Sequence, residues 1–324
     1  MKYRRFGKTN WQVSEIGYGM WGMGGDWKDS DDGESLNSLQ RALDLGCNFF
    51  DTAWIYGRGK SEKLLGKLIQ ANPDRHLYTA SKIPPKNFRW PSQREHRLED
   101  CFPPDHVQKY VEKSLENIGV DSIDLMQFHT WEDLWLDDER WLVQVAKLKE
   151  QGIIKTIGIS LNRWEPWNGV KAVESGLIDA VQVIYNIFDQ NPEDELFPAC
   201  RKNDVAVIAR VPFDEGTLTG TLTKDSTWPE GDWRNTYFVP ENLNSSVDHA
   251  DALKPLVPKG MTMAEMALRF IYQEPAVSTI IPGMRKLKHV ESNIATSDAG
   301  LLADALMKKL KKHHWDREPT DWSQ

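Results

Sequence analysis

The chain has 324 residues, of which 40% are hydrophobic and 27% charged, and its formal net charge is −8. The length allows one large domain or two ordinary ones, the acidic balance disfavours nucleic acid as a partner, and no apolar run approaches the ~20 residues of a membrane span. The three cysteines are far apart in the sequence, so we expect neither disulfides nor a metal site. Because the first residues lack an apolar secretory stretch, we expect a cytoplasmic protein without membrane contact.

Short apolar runs alternate with amphipathic stretches along the chain. A pair of short segments, Lys2–Gly7 and Gln12–Ser14, precedes this alternation and is predicted to form a hairpin. The apolar runs are predicted to be strands that begin near Glu15, Cys47, His76, Ile123, Ile154, Ala180, Val205 and Val277. The stretches between them have helical periodicity and cover residues 33–46, 60–70, 105–118, 138–151, 164–176, 193–203, 262–273 and 286–296.

This alternation predicts an α/β fold, a closed (β/α)8 TIM barrel, because parallel strands need crossovers of about this size. The widest spacings follow strands three and seven, so long loops are expected near residues 83–104 and 212–248. Loops after strands lie at the face of a barrel that carries active sites. No linker divides the chain. We expect a single domain over 1–324, with its core at about 3–297 and a C-terminal helix and tail, too polar for the core, at 300–324.

Gly17, Gly19 and Gly22 spell G-x-G-x-x-G, the dinucleotide-binding pattern of doubly wound sheets. That pattern requires a helix at its third glycine and an acidic residue ~20 positions later, at a strand end. Here the third glycine leads into a polar loop, and the later position falls inside a predicted helix. The sequence therefore favours the barrel over a doubly wound sheet.

Polar residues recur at the ends of the predicted strands. In chain order they are Asp51, Lys82, His129, Ser160, Asn162, Gln182 and Arg210. Each has an ordinary structural explanation, such as a turn cap or a rim lysine, but ionisable groups at three successive strand ends favour a site at the barrel mouth. A buried lysine without a partner is unfavourable, so Lys82 is predicted to lie against Asp51.

The segment Cys47–Gly57, followed by Gly59, Ser61, Glu62, Leu65 and Gly66, closely resembles the signature of the aldo-keto reductase superfamily. The segments Thr79–Lys82, Asp124–His129 and Ile281–Arg285 resemble its later signature blocks. The resemblance runs from about Tyr3 to Asn293 and is to the bacterial general aldo/keto reductases and the potassium-channel β-subunit branch. It implies reduction of aldehyde or ketone carbonyls, as small-molecule substrates, with a nicotinamide cofactor.

The resemblance also implies a catalytic tetrad of Asp51, Tyr56, Lys82 and His129. Tyr56 would be the general acid in reduction, and His129 would donate a hydrogen bond to the carbonyl oxygen. A free tyrosine has a pKa of ~10, and an ammonium ion at ~4 Å would lower it by ~3 units at most. We therefore expect Lys82 to lower the pKa of Tyr56, with Asp51 keeping Lys82 charged and tempering the effect.

The cofactor implied by the resemblance is NADPH (NADP+) rather than NADH. Its nicotinamide end would meet Asp51 and the residues Gly19, Met20, Trp21, Ser160, Asn162, Gln182 and Arg210, the last of which replaces an aromatic residue common in the family. Its pyrophosphate would meet a loop containing Phe213, Gly216, Leu218 and Gly220, and its adenosine end would meet Gly283, Arg285, His289 and Asn293.

Charge patterning supports a phosphate at the adenosine end. Arg285, Lys286 and Lys288 are at the start of the last predicted barrel helix, although helix N-termini disfavour cations. A bound 2′-phosphate would remove this conflict, whereas the alternative explanation is a solvated basic turn.

Several of the 14 tryptophans fall in loops of the predicted mouth. Trp21, Trp54 and Trp131 neighbour catalytic or cofactor positions, so we expect them to line the substrate pocket. A hydrolase with paired carboxylates is disfavoured because the mouth offers one aspartate. A cofactor-binding redox sensor or interaction subunit with slow turnover remains an alternative, and the sequence indicates no oligomeric state.

Overall fold

The computed structural model describes residues 1–25, 31–317 and 320, whose strands form two sheets. In the smaller sheet β1 (Tyr3–Phe6) pairs with β2 (Trp11–Ser14) as the predicted hairpin. The larger sheet has eight parallel strands: β3 (Tyr18–Gly19), β4 (Phe49–Asp51), β5 (Tyr78–Ile83), β6 (Ile123–Phe128), β7 (Ile154–Ser160), β8 (Ala180–Ile184), β9 (Ala206–Arg210) and β10 (Val277–Ile280).

Each strand of the larger sheet pairs with the next one in the chain. Parallel bridges from Ile16 to Ile280 and from Gly19 to Gly283 join its first and last strands. The sheet therefore closes on itself, and the predicted (β/α)8 barrel is confirmed.

Helices connect the strands outside the barrel. They are α1 (Asp32–Asp44), α2 (Lys60–Ala71), α3 (Leu98–Cys101), α4 (Pro104–Ile118), α5 (Glu139–Glu150), α6 (Val170–Glu174), α7 (Leu196–Asn203), α8 (Arg234–Tyr237), α9 (Pro240–Leu253), α10 (Met263–Tyr272), α11 (Leu287–Ala295) and α12 (Asp304–Leu310). Within the described part of the chain, none of these helices is long and apolar enough to cross a membrane.

The helix boundaries follow local chemistry. Pro104 begins α4, and Gly119 ends it with a left-handed backbone, as predicted from these two residues. Helix α6 is shorter than its predicted range of 164–176, because the chain turns at Asn162 and Pro166 before the helix starts. Helix α3 lies in the long loop after β5, and α8 and α9 lie in the one after β9.

The hairpin packs against the end of the barrel opposite the mouth. Phe6 is fully buried and contacts Phe49 at a ring-centroid distance of 5.4 Å. Gly7, at the hairpin turn, has a φ of +49°, and a Cβ there would lie 2.6 Å from the backbone nitrogen of Ala206. Only glycine fits both the backbone conformation and the close approach.

The G-x-G-x-x-G segment forms the seam of the barrel. A Cβ at Gly19 would lie 2.5 Å from the carbonyl oxygen of Ile281, so this glycine lets β3 approach β10 closely. The chain after it forms a short 3-10 turn at Trp21–Met23 rather than an α-helix. Rejection of the dinucleotide fingerprint is confirmed.

Part of the C-terminal tail is buried. Trp315 contacts the ring of His249 at 3.9 Å between centroids, and the side chain of Arg317 is only 7% exposed. The tail was expected to be too polar for the core, and Arg317 is buried among carboxylates that match its charge rather than among apolar side chains.

Candidate active site at the barrel mouth

The four predicted catalytic residues meet at the mouth of the barrel. Asp51 is the last residue of β4, Lys82 lies near the end of β5, and His129 directly follows β6. Tyr56 is in the loop between β4 and α2. Parallel pairing of the strands brings these ends together, as the sequence analysis expected.

The Lys82 ammonium is at the centre of this group and has no exposed surface. Its Nζ lies 2.5 Å from Oδ1 of Asp51, 2.8 Å from the carbonyl oxygen of Thr52 and 3.3 Å from the hydroxyl of Tyr56. Burial disfavours the charge, but Asp51 and Tyr56 outweigh it, so the pKa of Lys82 lies above its ordinary value. The predicted Lys82–Asp51 contact is present.

The Tyr56 phenol is protonated at neutral pH. Burial raises its pKa, and the ammonium of Lys82 opposes this increase only in part. The lowered pKa expected from Lys82 is not found, because that expectation left out the removal of the phenol from water. Tyr56 is therefore in the form that can donate a proton.

His129 is neutral beside Tyr56. Burial lowers the pKa of His129 well below its ordinary value, and the cations Lys82 and Arg210 lower it further. Its ring lies 5.8 Å from the Tyr56 ring, and its Nδ1 is buried without a hydrogen-bond partner among the described residues. A neutral imidazole offers one N–H donor and one acceptor.

Two amide side chains hold the other oxygen of the Asp51 carboxylate. Gln182 donates from Nε2 to Oδ2 at 2.8 Å, and Gln127 donates to the same atom at 3.2 Å. The sequence analysis did not identify Gln127. The signal was available: Gln127 is a polar residue in an apolar strand, two positions before His129, and so on the same face.

A cavity of about 160 Å³ opens beside these residues. It is lined by six of the predicted residues, namely Tyr56, His129, Ser160, Asn162, Gln182 and Arg210. Its lining also includes Trp90, Trp164 and Glu215, which the sequence analysis did not assign to the site. Among the described residues, no group of three or more His, Cys, Asp or Glu side chains is placed to hold a metal ion.

On the far side of the cavity, Asn162 and Arg210 already form hydrogen bonds within the protein. The Oδ1 of Asn162 accepts from the backbone nitrogens of Trp164 and Glu165, at 2.6 and 3.0 Å. Arg210 donates to the carbonyl oxygen of Leu161 at 3.0 Å, while its Nε is buried without a partner in the described structure. Burial lowers the pKa of Arg210, although the group stays a cation at neutral pH.

The loop after β9 (residues 211–220), to which the sequence analysis assigns the pyrophosphate of the cofactor, is here called the cofactor loop. It has an unusual backbone. Val211, Asp214 and Glu215 have left-handed φ values of 54°, 45° and 56°. The amides of Gly216 and Leu218 donate to the carbonyl of Phe213, and that of Gly220 donates to Thr217, so the turn itself uses these three donors. Burial raises the pKa of Glu215 to about 7.

The residues predicted to meet the adenosine end follow β10, as Gly283 and Arg285 do, or lie on α11, as His289 and Asn293 do. A Cβ at Gly22 would lie 2.8 Å from Cδ of Arg285, so the side chain of Arg285 covers this glycine. Burial lowers the pKa of His289. Asn293 is 4% exposed, and its Nδ2 has no hydrogen-bond partner in the described structure. This buried, unpaired donor suits the nitrogen acceptors of an adenine, so the residues present fit a nucleotide.

The tryptophans expected in the pocket lie elsewhere. Trp131 is 1% exposed and packs against Phe128, Trp135 and Trp141, so its assignment to the pocket is wrong. It follows β6, and its ring packs between Phe128 of that strand and Trp141 of α5. Neither Trp21, which contacts Trp233, nor Trp54, which contacts Tyr110, lines the cavity.

Comparisons with known proteins show which family the chain resembles. The profile of the Aldo/keto reductase family matches residues 15–314. The uncharacterized oxidoreductase YqkF of Bacillus subtilis is 28% identical over 316 residues, which are 97% of this chain and 96% of that protein. The NADH-specific methylglyoxal reductase of Escherichia coli is 27% identical over 322 residues, with coverage of 95% and 98%.

A solved structure has the same fold. The glycerol dehydrogenase AKR11B4 from Gluconobacter oxydans superposes with a TM-score of 0.78 at 26% identity, covering 96% of this chain and 94% of that one. The family profile spans the strands that carry the candidate site, from β3 to β10. The chain therefore belongs to the aldo/keto reductase family and is an oxidoreductase that uses a nicotinamide cofactor.

Proposed function

We propose that this protein reduces aldehyde or ketone carbonyls with NADPH and that Tyr56 is the general acid. The observation that supports this most is the contact of Lys82 with both Asp51 and Tyr56 beside the cavity. A reduced nicotinamide, when bound, supplies the hydride. The chain must then supply the proton, the orientation of the carbonyl and a site closed to water.

Tyr56 supplies the proton. Its phenol is protonated at neutral pH, and Lys82 donates a hydrogen bond to the oxygen that loses the proton. As the phenolate forms, a nearby ammonium stabilises it by ~4 kcal/mol at a separation of ~4 Å and an effective dielectric constant of ~20. Asp51 keeps Lys82 charged and in place.

His129 orients the carbonyl. As a neutral imidazole it can donate one N–H to the carbonyl oxygen, which places that oxygen near the Tyr56 hydroxyl. Trp90 supports His129 by donating from its indole nitrogen to the carbonyl oxygen of His129 at 3.2 Å. Trp90 and Trp164 line the cavity and would contact the remainder of the substrate.

The cofactor would lie from the cavity to the start of α11. Gly19, Met20, Trp21 and Asp51, with Ser160, Asn162, Gln182 and Arg210, would hold the nicotinamide end. Phe213, Gly216, Leu218 and Gly220 belong to the loop assigned to the pyrophosphate. Gly283, Arg285, His289 and Asn293 would hold the adenosine end, and Arg285 supports NADPH because a guanidinium pairs well with phosphate. The Escherichia coli relative is named for NADH, so this preference is tested below.

The decisive experiment is stopped-flow mixing of the NADPH-loaded protein with a panel of aldehydes and ketones. We expect oxidation of the bound cofactor by at least one carbonyl, well above its rate of spontaneous oxidation. Tight NADPH binding without turnover across the panel would contradict a reductase and favour a cofactor-binding sensor. Absence of nucleotide binding would contradict both functions.

A further inference from the structure

A buried cluster of ion pairs connects the C-terminal tail to the cofactor loop. Arg317 donates from Nη2 to Oδ1 of Asp214 at 2.7 Å and to Oδ2 of Asp189 at 2.9 Å, and its Nη1 lies 3.2 Å from Oδ2 of Asp214. Arg163 donates to the same Asp214 oxygen at 2.9 Å. Two arginines thus face two aspartates, and the cluster is neutral as a whole.

All four side chains of the cluster are shielded from water. The exposed fractions are 6% for Arg163, 12% for Asp189, 0% for Asp214 and 7% for Arg317. Without Arg317, two buried carboxylates would face a single cation, which is strongly unfavourable. The cluster therefore ties the position of the tail to the position of the loop.

The loop that Arg317 holds has an unfavourable backbone. Asp214 and Glu215 have φ values of 45° and 56°, in the left-handed region that residues with a Cβ avoid. Val211 also has a φ of 54°, although a β-branched side chain makes this region especially unfavourable. Such a backbone persists only where surrounding contacts hold it, and the ion pairs to Asp214 are contacts of this kind.

The cluster also connects the loop to the nicotinamide end of the site. Arg163 directly follows Asn162, and it donates from Nη1 to the hydroxyl of Tyr237 in the long insertion after β9 at 3.0 Å. The tail itself is fixed by a hydrogen bond from the backbone nitrogen of Trp315 to the carbonyl of Phe188 at 3.0 Å. The guanidinium of Arg317 lies 4.4 Å from the Trp315 ring centroid.

We propose that Arg317 is a positioning residue that holds the cofactor loop in the conformation that binds the pyrophosphate of the nicotinamide cofactor. This inference rests on the proposed function, because it takes the cofactor loop to be the pyrophosphate site. Loss of Arg317 would weaken cofactor binding and speed cofactor release. The proton transfer at Tyr56 would be unaffected once the cofactor is bound.

The test compares Arg317→Ala and Arg317→Lys with Lys312→Ala, which removes an exposed cation from the same tail. The dissociation constant of NADPH is measured by quenching of tryptophan fluorescence, and the rate of hydride transfer by single turnover at saturating NADPH. We expect Arg317→Ala to raise the dissociation constant at least tenfold and Arg317→Lys to raise it at least threefold. Lys312→Ala and the single-turnover rates should change less than twofold.

A cofactor fragment separates positioning of the loop from general damage to the fold. Adenosine 2′-phosphate lacks the pyrophosphate, so its affinity should change less than twofold in Arg317→Ala, whereas global disorder would weaken it as well. In an Asp214→Asn background, Arg317→Ala should have little further effect on NADPH affinity, because the two residues act through one contact. Full additivity would contradict the proposed route.

An unchanged NADPH affinity in a folded Arg317→Ala protein would overturn the inference and leave the proposed function intact. If Arg317→Ala does not fold, the NADPH affinity of Arg317→Lys is measured instead, and an unchanged affinity would likewise overturn the inference. A wild-type protein that binds NADPH but reduces no carbonyl would contradict the proposed reductase, while the effect of Arg317 on binding could still be observed.

Discussion

Gln127 donates a hydrogen bond to Oδ2 of Asp51 at 3.2 Å, on the carboxylate oxygen opposite the one that pairs with Lys82. Gln182 donates to the same Oδ2 at 2.8 Å. The carboxylate is therefore fixed from both sides, and its orientation depends on strands β6 and β8 as well as on β4. Through Asp51, these amides set where Lys82 meets Tyr56.

Gln127→Leu should lower kcat/KM about tenfold. The substitution keeps the volume of the side chain but removes one hydrogen bond to a charged group, and such bonds contribute about 1.5–3 kcal/mol. NADPH affinity should stay within twofold, since Gln127 does not line the cavity. Steady-state kinetics and fluorescence titration measure the two effects, and equal activity of Gln127→Leu and wild type would contradict a positioning role for Gln127.

Tyr56→Phe should lower turnover about 10²–10⁴-fold while NADPH affinity is retained. The change removes only the hydroxyl, which is the proposed proton donor, and leaves the aromatic ring in place. Single-turnover oxidation of bound NADPH measures the loss. Full turnover of Tyr56→Phe would rule out Tyr56 as the acid.

Arg285→Ala should weaken NADPH binding tenfold or more and NADH binding much less. The guanidinium is expected to meet the 2′-phosphate, which NADH lacks, through charge-assisted hydrogen bonds. Titration of both cofactors measures the ratio, with Lys312→Ala as a control for removal of a cation elsewhere. Equal losses for NADPH and NADH would argue against a 2′-phosphate at Arg285.

Glu215→Gln should stabilise the protein at pH 8 but not at pH 4.5. Burial raises the pKa of Glu215 from 4.5 to about 7 in the folded protein. Below pH 4.5 the wild-type carboxyl is protonated in both the folded and the unfolded protein. As the pH rises towards 7, the carboxyl ionises in the unfolded protein but not in the folded one, so the folded protein loses stability. The glutamine variant avoids this loss, which is at most about 3 kcal/mol.

Thermal unfolding of the cofactor-free protein at pH 4.5, 6 and 8 tests whether Glu215→Gln stabilises the protein more as the pH rises. The melting temperature of Glu215→Gln relative to wild type should increase by several degrees across the series. A constant difference would show that Glu215 does not titrate in this range.

Trp131→Ala should chiefly affect stability, whereas Trp90→Ala should chiefly affect substrate binding. Trp131 is buried among aromatic rings, so its truncation should lower the free energy of unfolding by about 3–5 kcal/mol. Trp90 lines the cavity, so its truncation should chiefly change KM for the carbonyl. Denaturant unfolding measures the change in stability, and steady-state kinetics measures the change in KM. A Trp131→Ala protein with unchanged stability and an altered KM would show that Trp131 lines the substrate pocket.

The order of strands and helices could be predicted from the sequence because it depends on local periodicity and on Gly and Pro signals. The meeting of Asp51, Lys82 and His129 followed from the same reasoning, since parallel strand ends share one face of a barrel. The resemblance then added Tyr56, which is in a loop and has no periodic position.

Other features were decided by the tertiary structure. The burial of Trp131 and the pairing of Gln127 with Asp51 depend on which way a side chain turns and on what a distant strand places beside it. The raised pKa of Tyr56 results from burial of the phenol, which cannot be calculated from the distance between Lys82 and Tyr56 alone. Arg317 reaches Asp214 across 103 residues of sequence, and no local pattern encodes a contact at that separation.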